Sequence, residues 1–153
     1  MATIKSLTGA GWLKDADDNF ASLSSLAGLH VTKFTFDTEA NDNAATPASN
    51  AEMGAHPMAV SVPDNAIVIS GHVDVITAVT SEGAATVAIG LVSGVDLLAA
   101  TAKATLAAKY QSVMATTTAP IKLEAAKAVT VTVGDAALTG GKINGYIIWI
   151  EGA

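Results

Sequence analysis

Along the C-terminal two-thirds of the chain, apolar positions recur in short runs. Each is closed by Pro, Gly, Asp, Asn or Ser, and the alternation within the runs predicts strands with one buried face. Residues 58–62 form the first such run and end in Pro63-Asp64-Asn65, where proline presets φ and Asp and Asn tolerate turn geometry. Residues 66–69 lead through Ser70-Gly71 into 73–80, which Ser81-Glu82-Gly83 closes. Residues 86–92 place Val87, Ile89 and Leu91 on one face before Ser93-Gly94 turns the chain into 96–100. Residues 103–110, KATLAAKY, read as a loop or one helical turn, because helix-forming alanines interrupt the strand series. Segment 120–124 sets Ile121 and Leu123 against Lys122 and Glu124, and segment 128–133 turns Val129, Val131 and Val133 inward.

The closing run, 143–150, departs from this rule. Ile143, Ile147 and Trp149 fall on one face and Tyr146, Ile148 and Ile150 on the other, so the strand is apolar on both sides. Such a strand calls for cover beyond its own sandwich, from the N-terminal segment or from a neighbouring subunit. With Gly140-Gly141 ahead of it, and strands spaced roughly 8–12 residues apart, the pattern predicts an all-β, antiparallel, jelly-roll-like β-sandwich.

The first part of the chain reads differently. Asp15, Asp17 and Asp18 precede Phe20, Leu23, Leu26 and Ala27 at helical spacing, and carboxylates in a first turn complement the helix dipole. The spacing predicts a short helix, stopped at Gly28, that needs a surface to dock on, to which Trp12 and Leu13 could contribute. Residues 31–37, VTKFTFD, put Phe34 and Phe36 on one face and predict a strand. The polar, Ala-rich stretch that follows, broken by Pro47 and Gly54, predicts a long loop over 38–57. The expected organisation is an arm, first strand and loop over residues 1–56, then a sandwich over 57–153 with no second domain boundary.

Composition narrows the function. Half the residues are hydrophobic, yet only 5% are aromatic and 14% charged, so Ala, Val, Ile and Leu fill the interior. The chain carries a net charge of −6 and no arginine, with eight scattered lysines. This weighs against nucleic-acid binding, which leans on Arg and Lys clusters, and against a polybasic membrane anchor. Mean hydropathy is +0.44, but no stretch approaches the roughly 20 unbroken apolar residues of a membrane helix. The N-terminal stretch lacks the apolar core of a signal peptide. There is no cysteine, hence no disulfide, thiolate metal site or cysteine nucleophile. Stability must come from the core, from partner chains, or from both.

Motifs for chemistry fail one by one. Asp15, Asp17 and Asn19 begin like a calcium loop, but Phe20 stands where glycine is required and Leu26 where glutamate is required. His72 and Asp74 share a strand face and could hold two positions of a metal, with a third ligand needed from a distant segment such as His56; a solvated or interface histidine is the simpler reading. No nucleophile elbow is present, and Thr139-Gly140-Gly141-Lys142 lacks the rest of a phosphate-binding loop and reads as a hairpin turn. Trp149 reads as core rather than as a sugar-stacking platform. No cofactor, metal or catalytic residue is expected.

The run from Val62 through Pro63-Asp64-Asn65 to Gly71-His72-Val73-Asp74-Val75, followed by Thr86-Val87-Ala88-Ile89-Gly90 and Asp96-Leu97-Leu98-Ala99-Ala100-Thr101, resembles small structural proteins of tailed-bacteriophage virions. The likeness covers about residues 58–151 and includes Leu138-Thr139-Gly140-Gly141-Lys142 before the aromatic-aliphatic final strand. It implies a capsid decoration or cement protein, a homo-oligomer with a trimer favoured, that clamps the major capsid protein lattice and has no catalytic residues. A neck, tail or head-fibre role and a glycan-binding β-sandwich module are the alternatives. Independently of the resemblance, an arm, a long polar loop and a two-sided terminal strand suit an assembly component. The interface candidates are Trp12, Phe20, Leu23, Tyr146, Ile148 and Ile150.

Overall fold

The computed structural model describes residues 28–40, 49–114 and 120–152, almost all within the compact unit Val31–Ala153. The helix expected between residues 15 and 27 lies outside the described residues, as do Trp12, Phe20 and Leu23.

The described residues are all-β and build two antiparallel sheets. In the first, β1 (Leu29–Asp37) lies beside β9 (Gly140–Glu151), which pairs with β3 (Ala66–Thr80); two short strands, β6 (Gln111–Met114) and β7 (Ile121–Lys122), share the far edge of β3. The second runs β2 (Gly54–Val62), β8 (Lys127–Gly134), β4 (Thr86–Gly90), β5 (Leu98–Ala102). Except for the β4–β5 and β6–β7 steps, consecutive strands alternate between sheets, and the first and last strands are neighbours. This is a jelly-roll sandwich.

Alternation explains the core. Phe34, Phe36, Val68, Val73, Val75, Ile143 and Ile147 point inward from the first sheet, and Val62, Val87, Ile89, Val129, Val131 and Val133 from the second. Leu97, Leu106, Leu123 and Leu138, from the connections, close the ends. Gly145 is required by this packing, since a Cβ there would overlap the Phe34 ring.

Several elements depart from the pattern read in the sequence. The strand expected from residue 58 begins at Gly54, so the long loop ends earlier: Gly54 to Pro57 pair with Val133 to Thr130. His56 is fully buried there, edge-on to Phe36 with ring centroids 5.9 Å apart. The polar, Ala-rich stretch that precedes it makes this inward histidine look like part of a loop. Ser70-Gly71 is no turn; it continues β3, and the register shift between Val68 and Ser70 absorbs Ile69 as a bulge. Nor is 139–142 a hairpin, because β8 and β9 belong to different sheets and the chain crosses over at residues 135–138, with Asp135 at φ 65°. The strand expected over 120–124 is reduced to Ile121–Lys122, and β6 was not foreseen. Residues 103–110 form turns, with Leu106 buried beneath them. β1 is an integral edge strand of the first sheet.

Candidate interaction surface

The outer face of the first sheet is set by the β3–β9 register. Outward residues meet as Ile67 with Ile150, Ser70 with Ile148, His72 with Tyr146, Asp74 with Asn144 and Thr77 with Lys142. On the opposite flank of β9, the Thr35 hydroxyl donates to Asn144 Oδ1 at 2.8 Å and Lys142 bridges Asp37 at 2.9 Å. The Lys33 ammonium stands 5.5 Å from the centre of the Tyr146 ring. The same two-residue step places Val31 beside Ile148.

The face is therefore divided. One end is polar, built from Asp37, Lys142, Asn144, Asp74 and Thr77. The other is aliphatic, built from Val31, Ile67, Ile148 and Ile150, with Ile69 at its margin. Val31 is 59% exposed and Ile69 38%. Tyr146 and His72, with ring centroids 6.5 Å apart, mark the boundary. Of the six residues singled out in the sequence, the structure brings Tyr146, Ile148 and Ile150 together on this half-buried strip, whereas Trp12, Phe20 and Leu23 lie outside the described residues. The two-sided character of the last strand is confined to its C-terminal half.

Electrostatics at the polar end are local. The Lys142 ammonium, hydrogen-bonded to Asp37, together with the Glu39 amide, holds the Asp37 carboxyl below its ordinary value of 3.8.

A second exposed feature is the β4–β5 connection. Asp96 accepts hydrogen bonds from the amides of Leu91 (2.7 Å), Val92 (2.8 Å) and Ser93 (3.0 Å), which pins the loop and explains why β5 starts at Leu98 rather than at residue 96. The pinned loop displays Val92 and Val95 at its surface. Asp96, expected as the first strand residue, is instead a loop cap, and its place after a Ser-Gly turn is the signal for that role.

The metal possibility can be placed as well. His72 and Asp74 point outward from the first sheet, whereas His56 points into the core from the second and donates from Nε2 to the Glu52 carbonyl at 2.9 Å. Those three cannot share one ion. Among the described residues no group of three His, Cys, Asp or Glu side chains converges. Trp149 is half-buried against the core, and its indole N–H donates to the Thr32 hydroxyl at 2.9 Å. The described residues include no helix long and apolar enough to cross a membrane.

No protein-family description matches this chain, and no curated protein matches it. Solved structures do. A chain from the structure titled as the acidic stable capsid of Helicobacter pylori bacteriophage KHP30 superposes with a TM-score of 0.52 at 14% identity, over 82% of this chain and 94% of that one. A chain of the cyanophage Pam1 capsid asymmetric unit matches at 0.59 and 15% identity, over 80% and 84%. A chain of the Ralstonia phage GP4 capsid matches at 0.55 and 18% identity, over 81% and 86%. At these identities the likeness is one of fold, and this jelly roll is a fold found in three phage capsids.

Proposed function

We propose that this chain is a structural protein of a bacteriophage virion: a capsid decoration or cement protein that binds the major capsid protein lattice from outside and stabilises it. The observation that carries the reading is the fold likeness to chains of three phage capsids, which extends over most of both partners in each case. On this reading the sandwich acts through its surfaces. The aliphatic end of the outer face, Val31, Ile67, Ile148 and Ile150, supplies an area whose burial would be favourable at about 25 cal/mol per Å² of apolar surface. Its boundary residue Tyr146 is of the type enriched in binding hot spots. A homo-oligomer, with a trimer favoured, suits attachment at local symmetry axes of a shell. The glycan-binding alternative draws less support, because Trp149 is half-buried against the core.

The test is reconstitution. Purified chain is mixed with shells assembled from the major capsid protein of the same phage, and cosedimentation and electron microscopy are used to find it. Stoichiometric density on the outer surface, with shells that withstand heating better, is the expected result. Density confined to a neck, tail or fibre of the intact virion would replace the decoration reading with another structural role. Native mass reports the oligomer.

A further inference from the structure

Among the described residues nothing covers the side of the sandwich between β1 and β2. These are the edge strands of the two sheets, and a cleft of about 300 Å³ runs between them, lined by Lys33, Phe34 and Thr35 from one and Met58, Ala59 and Val60 from the other. The amide of Thr38 donates to the Gly141 carbonyl at 3.1 Å, which sets the phase of the β1–β9 ladder. In an antiparallel ladder alternate residues turn their backbone groups to opposite sides. Thr38, Phe36 and Phe34 therefore bond toward β9, and Asp37, Thr35 and Lys33 turn outward. Asp37 bears this out, since its carbonyl accepts from Asn50 Nδ2 at 3.0 Å and from the Ala40 amide at 3.1 Å. Among the described residues nothing meets the outward groups of Lys33 and Thr35. Across the cleft, β2 departs from β8: Pro57 pairs with Thr130 and Ser61 with Ala128, so Met58, Ala59 and Val60 together stand opposite Val129 alone.

Resting on the shell role proposed above, we infer that this cleft is a strand-acceptor site: an extended, carboxylate-bearing segment of another shell protein adds to β1 beside Lys33 and Thr35. The repeat of free amide and carbonyl groups selects an extended backbone, and the cleft walls of Met58 and Val60 select small or β-branched side chains. Lys33 selects the charge. A second copy of this chain is disfavoured as the occupant. Antiparallel pairing of β1 with itself through Lys33 and Thr35 would set two Lys33 side chains at most about 7–8 Å apart on one face. A segment offering a carboxylate to Lys33 avoids that lysine pair.

Amide hydrogen exchange on the full-length chain, free and bound to shells of the major capsid protein, tests this directly. The Lys33 and Thr35 amides are expected to exchange readily in the free chain and to slow by about tenfold or more on shells. Thr35→Pro removes one outward N–H at an edge where proline is tolerated, and Lys33→Glu reverses the charge; each is expected to weaken shell binding by about tenfold. Unprotected amides and undiminished binding by Lys33→Glu, on shells that the unaltered chain decorates, would overturn the acceptor site and leave the shell role standing. Failure of the unaltered chain to bind shells at all would overturn the shell role itself. Protection that rises with chain concentration in the absence of shells would identify a second copy as the occupant and refute the partner named here.

Discussion

Gly145 lies where β9 passes closest to the Phe34 ring, and a methyl group there has no space. Gly145→Ala is expected to cost about 1–3 kcal/mol through overpacking, read as a lower urea midpoint at unchanged slope. Asp37 offers a subtler effect. Its carboxyl is held below 3.8 mainly by Lys142, so the ionised form is favoured by folding and the pair stabilises the protein above the ordinary carboxylate range. That contribution is lost as pH falls through the lowered folded value. The Asp37 side chain is 25% exposed and its partner 43%, so Asp37→Asn should cost no more than about 1 kcal/mol at neutral pH. The difference between variant and parent in urea melts should shrink as pH is taken below 3.8; a difference that grew instead would contradict the assignment. At this scale the sequence was legible for inward aliphatic residues and silent on His56, whose burial depends on Phe36 from another sheet and on the Glu52 carbonyl.

The elements follow the same division. β8 was visible as AVTVTV because its inner positions, Val129, Val131 and Val133, are buried and its alternate positions are not. β3 was split at Ser70-Gly71, since a turn-forming pair carries no trace of the β9 partner that bonds along its whole length. The β4–β5 loop makes the most testable element. Asp96→Ala would leave three amides without their carboxylate, and a loss of about 1–3 kcal/mol is expected together with faster exchange at Leu91, Val92 and Ser93. Unaltered exchange at those three amides would show that the loop is held by something else.

For the whole molecule, β1 and β9 are sequence-distant yet adjacent, and β9 occupies the centre of the first sheet. Two consequences follow. Refolding should proceed on the millisecond-to-second scale of sandwiches dominated by non-local pairing, as followed by stopped-flow Trp fluorescence. A chain ending at Thr139 should lose cooperative unfolding altogether, because β1 and β3 lose the strand that joins them; a sharp thermal transition in that truncation would refute the central role given to β9. The surfaces belong to this scale as well, since the aliphatic strip takes residues from three strands and the open cleft takes its walls from both sheets.

What the amino-acid order determined by itself is local: which segments alternate, which face of each is apolar, and that the chain lacks the basic clusters and cysteines that several function classes need. Those follow from side-chain chemistry at neighbouring positions, which a period of two exposes directly. Tertiary structure alone decided the strand order, the bulge at Ile69 and the inward turn of His56. Each depends on a backbone or side-chain partner far away in sequence, and the identity of that partner is not encoded in the residues that receive it. The terminal strand illustrates both. Its two apolar faces were plain in the order of Ile143 to Ile150, and only the packed sandwich assigned one face to the core and turned the other outward.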